Sequence, residues 1–130
     1  MSVERFNPDA LAVPRGFSHA VRAEGRVISL GGQTGMTVDG SIVDGGVVAQ
    51  FEQALTNLLT ALDAAGGTPG QLTGMTIFIV DMDDYRAHAR EIKTVWQRLV
   101  GEDYPAMAGI GVSRLWDADA VVELQGMAVI

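Results

Sequence analysis

Six consecutive residues, Met75-Thr76-Ile77-Phe78-Ile79-Val80, form an apolar run with no charge on either face. A strand alternates its side chains, so Ile77 and Ile79 point one way while Phe78 and Val80 point the other. Both sides therefore need cover. Helices of the same chain can supply one side, and a second copy of the chain is the economical cover for the other.

The flanking segments supply the helices. From Val47, the residues Phe51, Leu55, Leu58, Leu59 and Leu62 recur at helical spacing and form one apolar face. Ala65-Gly66-Gly67-Thr68-Pro69 ends that helix, because glycine accepts a positive φ and proline forbids continuation. After the strand, which spans Leu72 to Val80, Asp81 or Asp83 can cap a second helix whose buried face reads Tyr85, Ala89, Ile92, Trp96 and Leu99. Gly101 ends it.

Upstream, His19 to Glu24 and Arg26 to Leu30 are β-rich runs that Glu24-Gly25 joins as a hairpin. Gly31-Gly32-Gln33-Thr34-Gly35 breaks the second of them, and Asp39-Gly40 and Asp44-Gly45-Gly46 mark turns. Two last strands, Ala108 to Arg114 and Val121 to Val129, flank the turn Trp116-Asp117-Ala118-Asp119. The order is β-β-α-β-α-β-β, class α+β, with two helices on one face of a mixed sheet.

At 130 residues the chain reads as a single domain, 1–130, and its 48% hydrophobic content fits a large subunit interface. With no cysteine, disulfides and thiolate chemistry are excluded. His19 and His88 lie far apart and match no metal-binding pattern, so no metal or cofactor is expected. Sixteen acidic residues face nine scattered basic ones, which disfavours nucleic acid as a partner. Met1-Ser2-Val3-Glu4-Arg5 carries no apolar leader core and no run reaches membrane-spanning length, so a cytoplasmic location is expected.

Four short segments carry chemistry. Glu123 is a lone carboxylate in the apolar run Val121 to Ile130. It must face solvent, a partner group or a pocket, since burying it unpaired is costly. Alternation puts it on one face with Val121, Gln125 and Met127. Tyr104-Pro105-Ala106-Met107 opens the preceding strand, Gly31-Gly32-Gln33 follows an earlier one, and Phe17-Ser18-His19-Ala20 lies near the start.

Together with the element order, these segments resemble the Rid (YjgF/UK114) family of enamine/imine deaminases over essentially the whole chain. The resemblance implies a chorismate-mutase-like (YjgF-like) fold, a homotrimer with a barrel-like core, and small-molecule clefts between neighbouring chains. It implies Glu123 as the catalytic group that positions a hydrolytic water. Phe17, His19, Gly32, Gln33, Met107 and Ala108 become the implied substrate-binding residues. In deaminating members an arginine at the position of Met107 pairs with the carboxylate of a 2-imino acid. Methionine offers neither charge nor donor. Phe17 stands where many members have tyrosine, Gln125 replaces a second glutamate, and Ala89 falls at or near an asparagine.

Each residue also has a plainer reading. Glu123 could be an interface hydrogen-bond acceptor, Met107 strand packing, His19 a hydrogen-bonded edge residue, and Gly31-Gly32 a turn. His88 reads as solvated, and Arg114 as an end-of-strand group. Three functions follow: hydrolysis of an enamine, imine or related electrophile; binding of a small metabolite without catalysis; and a ribonuclease or translation factor, which the acidity disfavours.

Overall fold

Apolar spacing builds the two-layer body of this computed structural model, which describes residues 3–130. Met1 and Ser2, the start of the segment read for a leader, lie outside the described residues. The strands are β1 (Glu4–Phe6), β2 (Ala20–Arg22), β3 (Val27–Gln33), β4 (Leu72–Ile79), β5 (Ala106–Gly111) and β6 (Val122–Val129). The helices are α1 (Gly46–Ala64), α2 (Met82–Ala87) and α3 (Ala89–Leu99). The main sheet runs β3-β6-β4-β5, with β4 and β5 parallel and the other pairs antiparallel. The α+β class, the mixed sheet and the helices against one face agree with the sequence.

Helix α1 buries Val47, Phe51, Ala54, Leu55, Leu58 and Leu62, the stripe its spacing announces. At its end the Gly66 and Gly67 amides bond to the carbonyls of Asp63 and Leu62, with Gly66 at φ 90°. Met75, Ile77 and Ile79 of β4 meet the helices, together with Val122 and Leu124 of β6. Leu58 is fully buried in this core. Leu58→Ala is expected to lower stability by about 3 kcal/mol, measured by urea unfolding.

Four expectations are corrected. The hairpin across Glu24-Gly25 does not form: β2 pairs with β1 in a separate two-stranded sheet, and β3 pairs with β6. Arg22 bonds the Glu4 carboxylate at 3.0 Å and lies over the Phe6 ring, which ties β2 to the N-terminal strand. Gly25, at φ 143°, instead lets the chain pass against the Ile130 carbonyl, where any side chain would collide.

Gly31-Gly32 does not end the strand. β3 continues to Gln33 through a bulge opposite β6.

The second helix is broken at His88. The His88 ring donates from Nδ1 to the Asp84 carbonyl at 2.8 Å, while its own N–H turns to the Tyr85 carbonyl. Ile92 and Trp96 of the expected face are buried and Tyr85 and Leu99 pack half-buried against the core, but Val95 joins them and Ala89 is left exposed. Finally, β5 starts at Ala106 and stops at Gly111 rather than spanning Ala108 to Arg114. Its parallel register with β4 fixes both ends, Gly74 facing Ala106 and Ile79 facing Gly111.

The two-faced strand keeps its second face. Thr76 and Phe78 turn away from the helices beside Glu123 and Gln125. Val27, Ile110 and Met127, in register on the same side, are 61%, 45% and 44% exposed.

Candidate functional site

The start of β5 is where several chemistry-bearing segments converge. Ser18 anchors the Phe17-Ser18-His19 segment there: its N–H donates to the Pro105 carbonyl at 2.9 Å and its hydroxyl to the Tyr104 carbonyl at 2.7 Å. Phe17 is thereby held near Met107, and both line a pocket of about 710 Å³ on the helix side of the sheet. Phe51, Ile77, Ile79, Ile92 and Trp96 form its depth. Tyr104 stacks on Trp96 at 5.2 Å and 11°, and Trp96 donates to the Asp103 carbonyl at 3.1 Å.

The Tyr85 ring meets Phe51 edge-on at 6.3 Å, and burial pushes its phenol up to about 12. It therefore remains a hydrogen-bond donor at neutral pH. Desolvation raises Tyr104 also. Arg15, Arg90, Lys93 and Glu102 are exposed residues of the same lining.

Glu123 lies elsewhere. It faces Phe78 across β4, on the sheet face away from the helices, half-buried. Its carboxylate rests against Gly32 of the β3 bulge, where a Cβ would collide with it. Among the described residues no cation pairs with it. Gly32→Ala is expected to displace the carboxylate, reducing any Glu123-dependent turnover more than about tenfold with a small stability change, read by kinetics beside thermal melting.

One chain thus divides the residues singled out in the sequence. Phe17, Met107 and Ala108 line the helix-side pocket. Gly32 and Glu123 meet on the opposite face. Gln33 is half-buried opposite Leu124, outside both. His19 sits edge-on to Phe17 at 5.1 Å, with Nε2 bonded to the Ala12 carbonyl at 2.8 Å and its N–H donating to Asn7. Its ring serves the N-terminal loop. Arg114 bonds the carbonyls of Leu115 and Trp116, an end-of-strand role.

Tyr85, Trp96 and Tyr104 were legible only as core or motif residues, and Arg15, Arg90 and Lys93 as scattered cations. Their pocket role arises from the break at His88 and the pinning of Ser18, neither of which leaves a periodic signal.

A two-layer α+β body with helices against one face of a mixed sheet, and its pocket at the edge strand, is the class the geometry defines. The chain belongs to the endoribonuclease L-PSP family, the Rid/YjgF proteins: the family model matches residues 7–130. It is 33% identical to a goat (Capra hircus) 2-iminobutanoate/2-iminopropanoate deaminase over 87% of this chain and 79% of that one. A Drosophila melanogaster RutC family protein, UK114, is 31% identical over 87% of this chain and 78% of its own length. A Yersinia pestis structure of the Rid family, YyfB, superposes with a TM-score of 0.89 at 30% identity, covering 100% of both chains. No helix among the described residues is long and apolar enough to cross a membrane.

Proposed function

We propose that this chain is a Rid-like small-metabolite protein whose complete site forms between copies in a homotrimer, and which hydrolyses an enamine, imine or related electrophile. The observation that carries the reading is Glu123, held against the Gly32 backbone without a cation on a sheet face rich in exposed apolar groups. β5 is the edge strand, separating that face from the pocket of Phe17 and Met107. A second copy laid across this edge brings its own Glu123 to the pocket mouth and covers Val27, Ile110 and Met127.

The chemistry then asks little of the protein. Glu123 accepts a proton from a water as its oxygen adds to the imine carbon, and returns it to nitrogen. A second transfer through Glu123 carries the hydroxyl proton of the resulting carbinolamine to that nitrogen, the C–N bond breaks, and ammonia leaves as the carbonyl compound forms. The imine carbon is already electrophilic, so positioning and exclusion of bulk water suffice.

The apolar Met107 favours a second reading, binding without turnover in the same pocket. Sedimentation at micromolar concentration tests the assembly: a trimer is expected, and a stable monomer overturns it. A screen of enamine and imine substrates for ammonia release separates turnover from binding alone.

A further inference from the structure

The pocket grades from apolar depth to cationic mouth, and that gradient specifies a ligand. Phe51, Ile79 and Trp96 are 1%, 2% and 2% exposed, while Arg15, Arg90 and Lys93 line the same space as exposed residues. None of the three cations is in an ion pair among the described residues, whereas Arg5, Arg22 and Arg98 are paired with carboxylates. Only Glu102 opposes them in the lining, so the mouth carries a surplus of two positive charges in a chain of formal net charge −7. Such a mouth attracts and orients an anion.

Depth and size narrow the ligand further. The lining cations are all exposed residues, whereas Met107 packs against the core, so a carboxylate drawn into the depth would lose its water without a partner. A cavity of about 710 Å³ lies in the range that holds drug-sized ligands, well above what a three- or four-carbon acid fills.

Resting on the reading that this pocket is the ligand-binding half of the site, we propose that it takes an amphipathic monoanion, an aryl or medium-chain carboxylate. Its apolar body lies against Phe51, Ile92, Trp96 and Met107, and its carboxylate stays at the mouth with Arg90 and Lys93. The protonated Tyr85 phenol is available to a neutral polar group on that body.

The chain has two tryptophans, so Trp116→Phe leaves Trp96 in the pocket wall as the sole indole reporter. Fluorescence and calorimetric titrations with 3-phenylpropanoate, 3-phenylpropan-1-ol and propanoate test the proposal, at low and high salt. The phenylpropanoate is expected to bind about tenfold more tightly than its alcohol, with propanoate weaker still. Arg90→Ala/Lys93→Ala should remove most of the acid-over-alcohol preference, as should high salt. Equal binding of acid and alcohol, propanoate binding as well as phenylpropanoate, no binding of any probe, or a preference surviving the double variant each overturns it. Repeating the titration on Glu123→Gln protein reads binding apart from turnover. An absence of imine hydrolysis then overturns the hydrolytic reading alone, and the titration still decides this one.

Discussion

Glu123→Gln is expected to lower turnover by about 10²- to 10⁴-fold, the range for removing a positioned general base, while leaving the melting temperature close to that of the parent. Glutamine keeps the shape and the accepting oxygen, so packing against Gly32 and opposite Phe78 should survive. What it loses is the proton acceptor. If Glu123 served only as a hydrogen-bond acceptor at an interface, the same substitution would leave turnover and binding nearly intact. Kinetics and thermal melting on one preparation separate the two cases, and unchanged turnover would remove Glu123 from the mechanism.

The second large effect concerns Met107. Its position is where the family resemblance puts the arginine that receives a substrate carboxylate, and here it packs against the core on the helix side. Leaving a 2-imino acid's carboxylate unpaired costs roughly 2–5 kcal/mol, about 30- to several-thousand-fold in efficiency. 2-Iminopropanoate should therefore be a poor substrate in a coupled imine assay, and Met107→Arg should raise its turnover. Turnover comparable to an arginine-bearing relative would refute this. The expectation fits the pocket's charge distribution, since its cations are exposed residues whereas Met107 packs against the core.

Periodic segments were legible from sequence. The α1 stripe, the Asp81 cap that receives the Asp84 amide at 3.1 Å, and the alternation placing Glu123 beside Gln125 all stand. Long-range pairing decided the rest. β2 follows β1 because of the Arg22–Glu4 pair and the Arg22–Phe6 contact, and nothing in the run from His19 to Leu30 announces that partner. β3 runs through two glycines because β6 tolerates a bulge there, and the bulge brings Gly32 to Glu123.

The candidate residues could be named from the sequence, but not their division between two faces. Met107 faces Met75 in register, whereas Glu123 faces Phe78, an odd number of residues further along β4. That parity is set by the pairing of β5 and β6 to β4, which composition does not encode. On the proposed reading, a single chain therefore holds half of a site on each side of its sheet.

The most direct measurement uses the absence of cysteine from this chain. Chains carrying Met107→Cys and chains carrying Glu123→Cys, co-expressed and treated with a short bismaleimide, hold their thiols on separate molecules. Peptide mapping by mass spectrometry is predicted to find position 107 of one copy joined to position 123 of another. Folded protein that yields no such link would contradict a site completed between copies.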